Sequence, residues 1–162
     1  IQRDKSIKGV VFDLRNNPGG YLTDAVYIAS EFIKSGIGVM QEDKNGDRKH
    51  FDVSGRGMLT EVPVVVLLNG GSASASEIVA GALRDHKRAT LVGETSFGKG
   101  TIQEAEDLAE GTGIHITVAK WLTPNGRWVN DTTGLEPDIK IEVDKEDDTK
   151  DPQLDKAIEL LE

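Results

Sequence analysis

Two short segments hold a serine and a lysine in settings that favour nucleophilic chemistry. Residues 69–77 (NGGSASASE) place serines before a stretch of small and apolar residues, and residues 93–103 (GETSFGKGTIQ) place Lys99 in a glycine-rich loop. A hydroxyl becomes a good nucleophile when a base takes its proton, and an amine can be that base once burial lowers its pKa. The pairing therefore suggests a Ser/Lys hydrolase, which needs no histidine.

Ser74 lies where a helix is predicted to begin. Residues 75–83 suit a packed helix, so the serine hydroxyl would lie beside free N–H groups and the positive end of the helix dipole. The same residues spell a capping box, in which Ser74 and Glu77 only cap the helix. Ser72 and Ser76 are neighbouring candidates that spacing alone does not exclude.

The lysine has a similar pair of interpretations. Gly98 and Gly100 flank Lys99 and allow the backbone to approach another segment closely, so the long side chain can be directed inward. Neighbouring Phe97 and Ile102 favour partial desolvation of the amine. A solvated loop lysine is the alternative, because lysine is mostly exposed in folded proteins.

A second glycine-rich loop follows a predicted buried strand. Residues 7–14 are largely apolar and lead into Asn16-Asn-Pro-Gly-Gly20, so this loop begins at the carboxyl end of a strand. Ligands bind at that end in layered α/β folds, and the glycine N–H groups could face an oxyanion. The alternative is an ordinary Pro-Gly turn before a helix from Thr23 to Lys34.

A nucleotide-binding P-loop is the competing interpretation of the lysine segment. Gly93-x-x-x-x-Gly98-Lys99 matches most of the motif, and Val10-Val-Phe-Asp13 is similar to a strand that ends in a magnesium-binding aspartate. However, Gly100 stands where the motif needs Ser or Thr. Acidic residues follow, and the aspartate strand comes before the loop instead of after it, so this interpretation is disfavoured.

Taken together, these segments, with residues 76–83 and 134–138, resemble the tail-specific, carboxy-terminal processing serine proteases from about residue 7 to residue 141. The resemblance implies that Ser74 is the nucleophile, Lys99 the general base and Gln103 the group that orients the lysine. It also implies an oxyanion hole formed by the N–H groups of Ala75 and of Gly19 or Gly20.

The resemblance carries expectations about function. It implies an endopeptidase that binds proteins or peptides through their carboxyl-terminal tails and cleaves them through an acyl-enzyme, without a metal or cofactor. It also implies an upstream PDZ domain and an extracytoplasmic location, in the periplasm or cell envelope. The chain opens just before a core strand, so a fragment lacking the upstream segments is expected. The alternative is an inactive peptide-binding or scaffolding relative of the same fold.

Composition sets further limits. The 162 residues are 37% hydrophobic and contain no apolar run long enough to span a membrane, which favours one domain with a real core. The absence of cysteine excludes disulfides and thiolate chemistry. A net charge of −9 argues against nucleic-acid binding. We expect a catalytic core over residues 1–143, an acidic linker over residues 144–150 and a terminal helix over residues 151–162.

Alternating strand and helix patterns predict an α/β layered domain, and the resemblance narrows it to a crotonase-like ββα core with flanking helices. Strands are expected over residues 63–68, 89–92 and 113–122 and around Ile102, with a hairpin turn at residues 44–47. The last helix is expected to start at Pro152 and reach Leu161. Surface or strand-packing roles are predicted for the three histidines, His50, His86 and His115.

Overall fold

A computed structural model describes residues 6–130, 132–143, 147 and 149–162. These residues form two four-stranded sheets and three α-helices, and a short 3-10 helix lies at Ala109–Gly111. None of the described helices is long and apolar enough to span a lipid bilayer. The strands are β1 (Val10–Asp13), β2 (Ile37–Glu42), β3 (Arg48–Asp52), β4 (Val64–Leu68), β5 (Thr90–Gly93), β6 (Thr101–Asp107), β7 (Gly113–Leu122) and β8 (Ile139–Lys140), and the helices are α1 (Leu22–Phe32), α2 (Ala75–Asp85) and α3 (Pro152–Glu159).

The first sheet is parallel and has the strand order β1-β4-β5-β8. Its second strand, β4, consists of five buried aliphatic residues. Alternate residues of a strand point to opposite faces, so Val64, Val66 and Leu68 enter one core while Val65 and Leu67 enter another. A strand buried on both faces reads as a continuous apolar run, which explains why this strand was predicted from sequence.

The helices cover the two faces of the parallel sheet. Helices α1 and α2 contribute Ala25, Ala29, Ile78 and Leu83 to the larger core. Helix α3 packs on the opposite face, where Ala157 joins the smaller core. This arrangement is the layered solution expected when strands and helices alternate along the chain.

The second sheet is antiparallel and has the strand order β3-β2-β7-β6. Two hairpins build it: β2 pairs with β3, and β6 pairs with β7. Strand β7 joins them by pairing with β2, and its buried Trp121 enters the larger core. Strand β6 has a paired neighbour on one side only, so it forms an edge of this sheet.

The predicted crotonase-like α/β layered class is confirmed, and the differences from the sequence prediction lie at element ends. Strand β1 covers only the part of residues 7–14 that pairs with β4. Helix α1 begins one residue earlier than predicted and ends at Phe32, and α3 ends at Glu159. Strand β8 has two residues and was not predicted. Four positions of the predicted acidic linker (144–146 and 148) lie outside the described residues.

Candidate active site

Three loops meet at the carboxyl-terminal end of the parallel strands. Strands β1, β4 and β5 are neighbours and run in the same direction, so the segments that follow them emerge at the same edge. We call these segments the glycine loop (residues 14–21), the serine turn (residues 69–74) and the lysine loop (residues 94–100). Strand order thus brings together three motifs that are far apart in the sequence.

Ser74 has an unusual backbone conformation at the start of α2. Its φ is 54° and its ψ is −118°, a region that residues with a side chain rarely adopt. The predicted capping box is present, but its two halves differ. The Ser74 N–H donates to Glu77 Oε2 at 2.7 Å, whereas the hydroxyl forms no cap hydrogen bond of normal geometry. The hydroxyl still lies in the capping-box position toward the Glu77 N–H, so it caps the helix only weakly.

The glycine loop packs directly against the serine turn. The Ala73 N–H donates to the Asn17 carbonyl at 3.0 Å, and the Ser72 hydroxyl donates to the Leu14 carbonyl at 2.8 Å. A Cβ atom on Gly19 would lie 2.6 Å from the Ala73 carbonyl oxygen and 2.9 Å from Ser74 Cβ. Only glycine fits this contact, because φ at Gly19 is also +99°.

The hydrogen bonds around this contact separate the two candidate glycines. The Gly19 N–H donates to Asn17 Oδ1 at 3.0 Å, so it is already occupied. Among the described residues, the N–H groups of Gly20 and Ala75 have no hydrogen-bond acceptor. These two free donors lie on either side of Ser74, one on the glycine loop and one on the first residue of α2.

Backbone contacts hold the lysine loop in place. The Trp121 indole N–H donates to the Lys99 carbonyl at 2.8 Å, and the Trp128 indole N–H donates to the Gly100 carbonyl at 3.0 Å. A Cβ atom on Gly100 would collide with the Val129 carbonyl oxygen, which confirms the predicted close approach of the backbone at this glycine. The lysine loop is thus fixed from the side of the antiparallel sheet.

The predicted shielding of Lys99 is only partly present. The Lys99 side chain is exposed, and Phe97 is 61% exposed. Ile102 is partly buried, as expected. The Phe97 backbone N–H donates to the Ser72 carbonyl at 2.9 Å, so Phe97 links the lysine loop to the serine turn through its backbone.

One cleft of about 410 Å³ connects the predicted site residues. Ser74, Lys99, Gln103 and Gly20 all line it. Its remaining walls come mainly from apolar side chains, namely Leu22, Ile78, Ile102, Ala105 and Trp121. The cleft can therefore accept an extended chain with an apolar side chain beside the serine.

His115 also lines this cleft, which the sequence analysis missed. It had been assigned only a surface or strand-packing role, and it does lie exposed on β7. Its place beside the cleft depends on the pairing of β6 with β7, in which His115 lies opposite Ala105. The alternating pattern of β7 was visible in the sequence, but the register that brings His115 to the cleft was not.

The other candidates lie elsewhere. Ser72 is fully buried with its hydroxyl bonded to the Leu14 carbonyl, and Ser76 is buried and lines a different cavity. His86 is at the opposite end of α2 from Ser74, about 16 Å away for an 11-residue helix, and its ring nitrogen contacts the Ile37 carbonyl. His50 is exposed on β3.

The lysine loop does not have the architecture of a P-loop. A P-loop leads from a strand into a helix, whose N-terminus binds phosphate. Here the lysine loop leads from β5 into strand β6, whose residues 103–107 are exposed and include three carboxylates. This architecture further disfavours the nucleotide-binding alternative, which the sequence had already disfavoured.

Comparisons with known proteins agree with this geometry. Residues 1–141 match the family model described as Peptidase family S41. The chain belongs to peptidase family S41. It is 43% identical to carboxy-terminal processing protease CtpA of Bacillus subtilis over 152 residues, which cover 93% of this chain and 32% of that protein. It is 46% identical to a carboxy-terminal-processing protease of Bartonella bacilliformis over 143 residues, 88% of this chain and 32% of that protein.

A solved structure shows the same fold. The photosystem II D1 C-terminal processing protease superposes with a TM-score of 0.79 at 40% identity, covering 87% of this chain and 36% of that one. This S41 chain therefore spans about a third of the length of the relatives it matches. The predicted membership of the carboxy-terminal processing peptidases is confirmed at the level of the family.

Proposed function

We propose that this S41 chain is the catalytic part of a serine endopeptidase that cleaves proteins near their carboxyl ends. The observation that carries the proposal is the shared cleft, in which Ser74, Lys99 and Gln103 meet a free backbone donor at Gly20. The names of its relatives agree with this activity.

The first step forms an acyl-enzyme. The neutral Lys99 amine takes the proton of the Ser74 hydroxyl while Ser74 Oγ bonds to the carbonyl carbon of the substrate. The carbonyl oxygen becomes an oxyanion, which accepts hydrogen bonds from the N–H groups of Ala75 and Gly20. Gly20 is preferred to Gly19 as a donor, since Asn17 already occupies the Gly19 N–H.

The second half of the reaction returns the proton. As the tetrahedral intermediate collapses, the Lys99 ammonium gives its proton to the leaving amine, and the C–N bond breaks. Water then attacks the Ser74 ester with Lys99 again as the base, which releases the new carboxyl end and restores the free serine. The protons balance over the cycle, so the reaction requires no metal or redox cofactor.

Substrate binding has a second role, which is to exclude water. Lys99 is exposed in the described chain, whereas a lysine base must be sheltered from water to lose its proton. A peptide lying along the apolar cleft walls would cover the amine. Gln103, which lies on β6 four residues after Lys99, lines the same cleft and is assigned the orienting hydrogen bond to the lysine.

The exposure of Lys99 also favours the second candidate function, an inactive peptide-binding relative. In that case the cleft holds a peptide tail but forms no acyl-enzyme. Recognition of the tail, an upstream PDZ domain and an extracytoplasmic location are further proposals, which rest on the family resemblance and on the relatives' names as carboxy-terminal processing proteases.

A serine-reactive phosphonate probe with mass mapping separates the two candidates. We expect the probe to label Ser74 in the folded protein. This labelling should disappear in Ser74→Ala and remain in Ser72→Ala. Absence of labelling at Ser74 in a folded chain that still binds a peptide tail would favour the inactive relative.

A further inference from the structure

Glu77 is a buried carboxylate that no step of the proposed reaction uses. Its side chain is completely buried in the first turn of α2, three residues after Ser74. Among the residues that the structure describes, it forms no ion pair. Burying a carboxylate is costly unless hydrogen bonds replace its lost water, so the local structure must supply them.

Four donors satisfy this carboxylate. Glu77 Oε2 accepts the N–H of Ser74 at 2.7 Å and the N–H of Lys99 at 2.9 Å. Glu77 Oε1 accepts the N–H of Gly98 at 2.7 Å and the hydroxyl of Ser96. An ionised carboxylate has about four lone-pair sites and no donor, which matches four incoming donors.

The donors belong to the two loops that carry the proposed chemistry. A single oxygen, Oε2, joins the backbone of the proposed nucleophile to the backbone of the proposed base. The contact also uses the Ser74 N–H, whereas the N–H of the next residue, Ala75, has no acceptor among the described residues. Ser96, in turn, accepts the N–H of Leu135 at 2.7 Å, so the same network reaches the segment at residues 134–138.

We propose that Glu77 is a positioning residue that fixes the lysine loop relative to the serine turn. The inference rests on the proposed function, because it concerns the distance between Ser74 and Lys99. A helix cap explains only the bond between Glu77 and Ser74. The bonds to Gly98 and Lys99 come from residues that lie 21 and 22 positions after Glu77 in the sequence. A helix cap alone would not need them.

Glu77→Gln tests this role with little change in size. An amide accepts hydrogen bonds at one end only, so one of the two donor pairs loses its acceptor. We expect kcat to fall about 100-fold with little change in KM, since a small displacement of a base costs that much without removing substrate contacts. Ser30→Ala is the matched control: Ser30 is buried and bonds Val26 and Ser54, away from the cleft.

Two readouts separate positioning from general destabilisation. The first is amide hydrogen exchange by NMR at Ser74, Gly98 and Lys99, which needs no activity. The second is the rate of phosphonate labelling of Ser74, corrected for the folded fraction. We expect Glu77→Gln to speed exchange at one of the donor pairs and to slow labelling, and Ser30→Ala to do neither.

Several outcomes overturn the proposal. Labelling of Ser74 in folded Glu77→Gln at the wild-type rate would contradict it. So would a loss of labelling that is proportional to the unfolded fraction in both Glu77→Gln and Ser30→Ala. If Glu77→Gln does not fold, Ser96→Ala is the fallback, because it removes one donor to Glu77 and keeps the bonds from Ser74 and Lys99. We expect it to speed amide exchange at Gly98 and to slow phosphonate labelling of Ser74 less than Glu77→Gln does. If wild-type Ser74 is not labelled, the proposed function fails. The comparison of amide hydrogen exchange between Glu77→Gln and Ser30→Ala still decides whether Glu77 holds the lysine loop against the serine turn.

Discussion

Ser74 has a backbone conformation that its neighbours must hold in place. A positive φ at a residue with a side chain costs of order 1 kcal/mol or more, and such residues cluster at functional sites. Here the constraint comes from Glu77 on one side and from Gly19 on the other. The family resemblance selects Ser74 in the sequence. The capping-box pattern there cannot reveal this φ, because the same pattern also begins ordinary helices.

Lys99→Arg tests the base at the residue scale. Arginine keeps the charge and approximate size, but a guanidinium does not deprotonate in proteins, so we expect no acylation of Ser74. The measurement is single-turnover acylation across pH. Lys34→Arg, at an exposed ion pair with Glu61, is a control that should retain the wild-type rate. Wild-type-like acylation by Lys99→Arg would mean that another group is the base, and His115 in the same cleft would be tested next.

Gln103→Ala should have a milder effect than Lys99→Arg. If Gln103 orients Lys99 as proposed, its loss misplaces the lysine but leaves it able to take a proton, so we expect roughly a 10- to 100-fold lower kcat. Steady-state kinetics on a peptide substrate measures kcat for Gln103→Ala and for the wild type. A loss as complete as that of Lys99→Arg would show that Gln103 has a larger role than orientation.

At the scale of elements, the order of three parallel strands assembles the site. Sequence patterns predict β1, β4 and β5 because their apolar runs are short and bounded by turn residues. They do not give the order of the strands, and that order alone brings the three loops to one edge. Of the four bonds of Glu77, the capping box predicts only the one from Ser74. The other three donors lie on the lysine loop, and their approach depends on the pairing of β4 with β5.

Gly19→Ala tests the contact between the glycine loop and the serine turn. The new Cβ would lie 2.7 Å from the Ala75 nitrogen at a residue with positive φ, so the loop must move away from Ser74. We expect kcat to fall about 100-fold or more, as for loss of an oxyanion donor. Gly70→Ala is the matched control, because Gly70 is exposed, its φ is not positive and a Cβ there meets no atom within 4 Å. Equal activity of the two folded variants would contradict the proposed contact.

At the scale of the whole molecule, a charged cluster connects helix α3 to the start of the glycine loop. Arg15 donates to both oxygens of Asp151, at 2.9 and 2.8 Å, and to Gln153 at 3.1 Å. Asp151 in turn caps α3 by accepting the N–H of Leu154 at 3.0 Å. The predicted Pro152 start of this helix is confirmed, whereas its link to Arg15 required the three-dimensional arrangement.

This cluster predicts a pH dependence of stability. The pKa of Asp151 lies below its usual value, chiefly because Arg15 donates hydrogen bonds to the carboxylate. A carboxylate with a lowered pKa in the folded state stabilises the fold above its unfolded pKa, and this contribution is lost as the pH falls through the folded pKa. The free energy of unfolding should therefore fall more steeply below about pH 4 for the wild type than for Asp151→Asn.

Urea unfolding at a series of pH values from neutral to acidic measures this difference. Asp155→Asn removes a carboxylate from the exposed side of the same helix and serves as the control, which should follow the wild-type curve. Parallel pH curves for wild type and Asp151→Asn would contradict the stabilising role of the Arg15–Asp151 pair.

The central claim is that Ser74 carries the acyl group during peptide cleavage. The most direct measurement is acid-quenched mass mapping of the enzyme during turnover of a peptide substrate, with folding of each variant verified. Because the Ser74 hydroxyl is also the capping-box partner of the Glu77 N–H, Ser74→Ala should cost up to about 1 kcal/mol of stability, so activities are compared at equal folded fraction. We predict a substrate-derived acyl group on the fragment containing Ser74 in the wild type, and neither acyl group nor turnover in Ser74→Ala. An acyl group on another residue, or full turnover by folded Ser74→Ala, would contradict the mechanism.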